Sequence, residues 1–178
     1  NDSTGYIKLD KFLQNCYNEM HDALVDLKKT NPNMTSLVFD LRGNGGGLLE
    51  ESVNILNLFI DKGQLLVTQK GKIAGSNNVY ETKVEPIDNK IRVAVLVDKN
   101  SASASEITAG NFQDVDRGVV VGQRSYGKGL VQQTRNLTYN CQMKLTVAKY
   151  FTASGRCVQT KIYTHHTDEG GSFEEVAD

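Results

Sequence analysis

The sequence predicts an α/β fold, with a mainly parallel sheet flanked by helices and additional β-strands. Three observations lead there. Apolar, β-branched runs at residues 36–40, 91–97 and 118–122 are too short for helices and too continuous for half-exposed strands. Between them lie stretches whose apolar residues recur every three or four positions, the spacing of an amphipathic helix. The resulting order of strand, helix, strand, helix, strand requires crossover connections, which favour parallel pairing.

Gly5-Tyr6-Ile7-Lys8-Leu9 alternates like a short opening strand, and Leu13, Tyr17, Met20, Leu24 and Leu27 then mark a first helix that Asn31-Pro32-Asn33 stops. A buried strand at 36–40 leads into Gly43-Asn44-Gly45-Gly46-Gly47. A second helix follows with apolar face Leu49, Val53, Leu56 and Ile60, and Gly63 is expected to end it. Residues 64–90 alternate weakly around Gly75-Ser76-Asn77-Asn78, which suggests a surface hairpin or an excursion from the main sheet.

The run 91–97 is expected to be a central strand covered on both faces, with a helix over 104–114 and another buried strand over 118–122. Residues 130–133, 143–151 and 158–163 read as later strands, and 168–178 as a polar, mobile tail. The chain is read as one domain over 1–178. In open parallel sheets, sites form at the carboxyl ends of strands. Both the glycine cluster and the serine cluster lie at such ends, so segments distant in sequence can meet there.

The chemistry-bearing residues sit in two small-residue turns, Ser101-Ala-Ser103-Ala-Ser105-Glu106 and Tyr126-Gly-Lys128-Gly. A hydroxyl is a nucleophile only beside a base, and lysine is a base only where its charge is suppressed. To take a proton from Ser103 near neutrality, Lys128 needs a pKa lowered from about 10.4 towards 7 or 8, at a cost of about 3–5 kcal/mol. Burial between Gly127 and Gly129 could supply this, and Gln132 could hold the amine without charging it.

Ser103 opens a helix, so its dipole and the Ala104 amide favour an oxyanion, with a second donor expected from Gly46 or Gly47. Ser103-x-x-Glu106 is also the pattern of a capping box, and an isolated Gly-Lys-Gly is more often an exposed turn. Neither segment identifies a site by itself. His21, His165 and His166 read as solvated side chains, and no Gly-x-Ser-x-Gly elbow surrounds any serine. The glycine motifs miss the third small residue of a dinucleotide fingerprint and the Ser or Thr of a P-loop. No cofactor is called for.

Twenty Lys and Arg against 21 Asp and Glu give a formal charge of −1, which offers no electrostatic basis for binding nucleic acid or an anionic membrane. No apolar run approaches the ~20 residues of a membrane-spanning helix. Cys16, Cys141 and Cys157 lack zinc-site spacing and are expected to be buried free thiols; a turn near Ser154-Gly155 would put Cys141 and Cys157 out of register for a disulfide. The start at Asn1-Asp2-Ser3-Thr4 reads as that of a processed or truncated piece.

Taken together, Val38-Phe-Asp-Leu-Arg-Gly-Asn-Gly-Gly-Gly47, Val97-Asp-Lys-Asn-Ser-Ala-Ser-Ala-Ser-Glu-Ile107, Gly122-Gln-Arg-Ser-Tyr-Gly-Lys-Gly-Leu-Val-Gln132 and Thr152-Ala-Ser-Gly-Arg156 resemble the carboxyl-terminal processing proteases, tail-specific serine peptidases with a Ser/Lys dyad. The resemblance implies a ClpP/crotonase-like fold and an endopeptidase cutting near protein C-termini through an acyl-enzyme. It makes Ser103 the nucleophile, Lys128 the general base and Gln132 the residue positioning the lysine. Gly46, Gly47 and Ala104 would supply the oxyanion hole, and Glu106 and Asp114 would be supporting.

Partners implied are polypeptides with accessible C-terminal tails, and the implied compartment is the periplasm or cell envelope. Neither the PDZ domain nor the helical cap usual in the family is expected within these 178 residues, so the resemblance allows a fragment that holds the catalytic residues without being active alone. Gln123-Arg124 replaces the usual Glu-Pro, and Ala153 the usual Pro. The alternatives are a non-catalytic module binding peptides or hydrophobic ligands, and an acyl-thioester enzyme of the crotonase type, which needs no Ser-Lys pair.

Overall fold

The computed structural model describes residues 3–72, 75–164 and 172–175. Along the chain run β1 (Thr4–Lys8), α1 (Cys16–Thr30), β2 (Ser36–Asp40), α2 (Leu49–Leu56), β3 (Leu65–Gly71), β4 (Asn78–Glu81), β5 (Arg92–Val97), α3 (Ala104–Asp114), β6 (Gly118–Gly122), β7 (Leu130–Asn136), β8 (Gln142–Phe151), β9 (Lys161–Thr164) and β10 (Ser172–Glu175).

The first sheet has the order β1-β2-β5-β6 and every pairing in it is parallel, as the alternation of strands and helices requires. Phe39 lies opposite Ile7 on one side and Val95 on the other. With Leu37 and Val93 these residues form the face beneath the helices, where Phe39 and Val95 are fully buried. Phe59 and Phe112 close the core, with ring centroids 5.5 Å apart and planes tilted by 56°. Each such ring contributes about 2–3 kcal/mol by leaving water. Between α2 and α3, the Ser52 and Thr108 hydroxyls are hydrogen-bonded at 2.8 Å, and Thr108 also donates to Ala104 O.

The other face of this sheet departs from expectation. Continuous hydrophobicity predicts cover on both sides of the strands at 91–97 and 118–122, yet β5 alternates between buried and half-buried residues, and Val119 and Val121 on β6 are exposed. The described helices pack on a single face, so the period-two alternation of one covered side reappears.

Residues 64–90 do form a hairpin, but β3 also pairs antiparallel with β8, giving a four-stranded sheet of order β4-β3-β8-β7. α2 ends at Leu56, short of the expected end near Gly63, because residues 57–60 tighten into turns and Asn57 Nδ2 bonds back to Val53 O at 2.7 Å. Leu58, Phe59 and Ile60 stay buried all the same. Leu13 is 58% exposed and lies ahead of α1, which starts at Cys16 after Asn15 in a left-handed conformation. Within the stretch read as a polar tail, β10 pairs with β9. His165 and His166 lie outside the described residues.

All three cysteines are free. Only Cys16 is buried; Cys141 is exposed in the turn between β7 and β8, and Cys157 is half-buried. Burial, together with the neighbouring Glu51 carboxylate, pushes the Cys16 thiol up to about 12, which makes it an inert core residue at neutral pH.

Candidate active site

The carboxyl ends of β2 and β5 are fastened to each other by side chains that accept backbone hydrogens. Asp98, just past β5, takes N–H groups from Gly43 at 3.0 Å, Asn100 at 2.9 Å and Ser101 at 3.1 Å. The Gly43 N–H and these further donors hold the Asp98 carboxyl below its ordinary value. At the end of β2, Asp40 is buried and receives Nε and a terminal nitrogen of Arg42 at 2.9 and 2.7 Å, together with the Tyr6 hydroxyl at 2.6 Å. The Arg42 guanidinium holds it well below the usual carboxylate range despite its burial.

The three serines of the cluster have different occupations. Ser101 Oγ donates to Leu41 O and Ser105 Oγ to Asn44 O, each at 2.8 Å, and both side chains are buried. They staple the serine turn to the glycine loop. Ser103 stands apart as half-buried, with its backbone at φ 56 and ψ −114 immediately before α3. A β-carbon is unfavourable in that region, at a cost of about 1–3 kcal/mol that the surrounding staples must hold.

The glycine loop lies directly against this serine. A β-carbon on Gly46 would fall 2.6 Å from Ala102 O, 2.9 Å from Ser103 Cβ and 3.0 Å from Ala104 N, and Gly46 has φ 92, so only glycine fits. Asn44, buried between the glycines, holds the loop by donating Nδ2–H to Leu9 O and accepting the Gly46 N–H on Oδ1, both at 2.8 Å. The segment before α1 completes the hold, because Phe12 N–H donates to Gly46 O at 3.2 Å and Leu48 N–H to Phe12 O at 2.9 Å.

The Gly46 amide is therefore occupied. Among the described residues, Gly47 N–H and Ala104 N–H have no hydrogen-bond acceptor, the latter because it is the first amide of α3.

The lysine turn is joined to the serine turn by one buried carboxylate. Glu106 Oε2 accepts the Ser103 and Lys128 N–H groups, both at 2.8 Å, while Oε1 accepts Ser125 Oγ–H and Gly127 N–H at 2.6 Å. Tyr126 N–H adds a bond to Ser101 O at 3.0 Å. Gly127 and Gly129 are buried against residues 158–160: a side chain on Gly127 would collide with Thr160 and one on Gly129 with the Gln159 backbone. Lys128 between them is half-buried.

Sequence distance hides this carboxylate. Glu106 is 22 positions from Lys128, although its capping contact to Ser103 is legible in the sequence. The fastening work of Asn44, Ser101 and Ser105 goes beyond the sequence reading; an asparagine set among glycines is the available signal.

Not every expected partner meets. Among the described residues no hydrogen bond joins the side chains of Ser103 and Lys128, and none joins Lys128 to Gln132, which is exposed at a bulge in β7. Asp114, at the end of α3, accepts from Thr152 Oγ1, from Ser154 Oγ at 2.7 Å and from Arg156 at 2.6 Å. Burial alone would raise its pKa, but these donors outweigh it and leave the carboxyl lowered. Its role is to fasten the 152–156 turn. No described residues group as a metal site, and no described helix is long and apolar enough to cross a membrane.

The family model for peptidase family S41 matches residues 3–167. This chain belongs to peptidase family S41. As an S41 chain it is 35% identical over 151 residues to the chloroplastic C-terminal processing peptidase of Tetradesmus obliquus, covering 85% of this chain and 32% of that protein. It is likewise 35% identical over 159 residues to the carboxy-terminal-processing protease of Bartonella bacilliformis, covering 87% and 36%. The chain thus spans about a third of the length of these curated relatives. Among solved structures, the photosystem II D1 C-terminal processing protease superposes with a TM-score of 0.79 at 33% identity, over 88% of this chain and 39% of that one. Mature CPAF, at 11% identity, shares the fold with a TM-score of 0.71 over 88% and 44%.

Proposed function

We propose that this S41 chain is the catalytic core of a serine endopeptidase that cuts polypeptides near their C-termini, with Ser103 as nucleophile and Lys128 as general base. The observation that carries the reading is the Glu106 clamp. One carboxylate oxygen binds both backbones at 2.8 Å, so the two amide nitrogens lie no more than twice that distance apart. The lysine's four-carbon stem then has only a local adjustment to make, which Gln132 would complete when substrate is bound.

In the proposed reaction, the neutral Lys128 amine takes the Oγ proton as Ser103 attacks the scissile carbonyl, and the ammonium returns it to the leaving amine as the C–N bond breaks. Water, activated by the same amine, then hydrolyses the ester. Gly47 N–H and Ala104 N–H are the donors available to the oxyanion. Ser101 and Ser105 donate their hydroxyl protons to loop carbonyls, whereas Ser103 Oγ accepts the Glu106 N–H of the capping box and donates to no loop carbonyl, which supports its assignment. The compartment implied by the resemblance, the periplasm or cell envelope, belongs to the same proposal.

Proteolysis of an unstructured peptide tests it, with Ser103→Ala and Lys128→Ala as comparisons. The proposal expects both variants to lose cleavage; equal cleavage by all three proteins would end it.

A further inference from the structure

A cleft of about 490 Å³ opens between α2 and β4. Its two walls lead away from the two loops of the site. α2 begins at Leu49, two residues after Gly47. On the other side, Tyr150 N–H donates to Gly129 O at 2.8 Å beside Lys128, and Tyr150 and Asn78 both lie opposite Gln69, so β8, β3 and β4 carry the wall outward from the lysine turn.

The lining combines apolar and aromatic surface with excess negative charge. Tyr17, Val53, Val79 and Tyr80 form the walls, and Val79 is 61% exposed, leaving its side chain largely uncovered. Two glutamates, Glu50 and Glu81, line the cleft together with one lysine, Lys83. Burial and the nearby Glu50 charge push the Tyr80 phenol up, consistent with Glu50 acting inside the cleft. Apolar walls suit the aliphatic stem of a long side chain, tyrosine rings attract a cation, and carboxylates pair with it.

Building on the peptidase reading, we propose that this cleft is a substrate subsite that receives a lysine or arginine of an extended polypeptide bound across the Gly47 and Lys128 loops, with Glu50 the principal selecting residue. Neutral or acidic side chains lack the charge complement and are disfavoured.

The test measures binding and cleavage separately. Fluorescein-labelled unstructured peptides, identical except for Lys or Glu at one position, are titrated by anisotropy into the Ser103→Ala protein, so that binding is read without hydrolysis. The Lys peptide is expected to bind about tenfold more tightly than the Glu peptide. Adding Glu50→Gln and Glu81→Gln should bring the ratio close to one, and Lys83→Ala should raise it. These are exposed positions, and the readout is a ratio between two peptides, which general loss of folding does not shift selectively. Equal binding of the two peptides, or a ratio unchanged by the glutamate substitutions, overturns the subsite. Cleavage of the Lys peptide by the unsubstituted protein is scored on its own, so preference without cleavage removes the peptidase reading and keeps the subsite.

Discussion

Ser103 and Lys128 donate their main-chain N–H groups to the same oxygen, Oε2 of Glu106, at 2.8 Å each. This places the two turns in fixed register whether or not their side chains touch. Glu106 is buried and satisfies four donors, so replacing it by alanine leaves several polar groups without partners. Glu106→Ala is expected to cost about 3 kcal/mol in urea unfolding and to abolish peptidase activity. Glu106→Gln should lose activity nearly as fully, since an amide NH2 would face backbone donors. A fully active glutamine variant would show that the clamp does not position the site.

The backbone at Ser103 offers a second test. Its φ of 56 penalises any β-carbon, so Ser103→Gly should be more stable than Ser103→Ala by about 1 kcal/mol, although glycine is normally the more flexible and costlier residue to order. Thermal unfolding of the two inactive variants decides it. The reverse order would mean that the strain is absent in solution.

Gly46→Ala should lose activity and about 2–4 kcal/mol of stability, because the new methyl meets Ala102 O at 2.6 Å and Ser103 Cβ at 2.9 Å. Gly45→Ala, whose added methyl would have nothing within 4 Å, is the control and should keep its fold. Comparing the two by calorimetry separates close approach from loss of loop flexibility.

Acid should loosen the site. Asp98 and Asp114 both have folded-state pKa values below the ordinary carboxylate value. A depressed folded pKa gives stability that is fully present above the unfolded value of about 3.9 and is lost as pH falls through the lower folded one. The melting temperature should therefore hold steady from pH 7 down to about pH 5 and fall below about pH 4. Asp98→Asn and Asp114→Asn should each flatten that fall while lowering the plateau.

Local periodicity made much of this architecture legible. α3 and β6 occupy the expected residues because each is bounded by its own signals: Ser103-x-x-Glu106 opens the helix, and glycines frame the strand. The pairing of β3 with β8 was not legible, since antiparallel partners far apart in sequence leave no local mark. The face of the parallel sheet that the described helices leave uncovered was hidden for a related reason: Val119 and Val121 read as core residues when only their hydrophobicity is known. In the site, the convergence of the glycine loop with the serine turn was legible from their places at strand ends, whereas the work of Glu106, Asn44, Ser101 and Ser105 depends on contacts between segments that only folding brings together.

The most direct test of the central claim is trapping of the covalent intermediate. The protein is incubated with an activated ester that acylates serine, and adducts are located by peptide mass spectrometry. The account predicts one acyl group on Ser103, formed in the unsubstituted protein and lost in Lys128→Ala. An adduct on another residue, or equal labelling of Ser103 without Lys128, would contradict it.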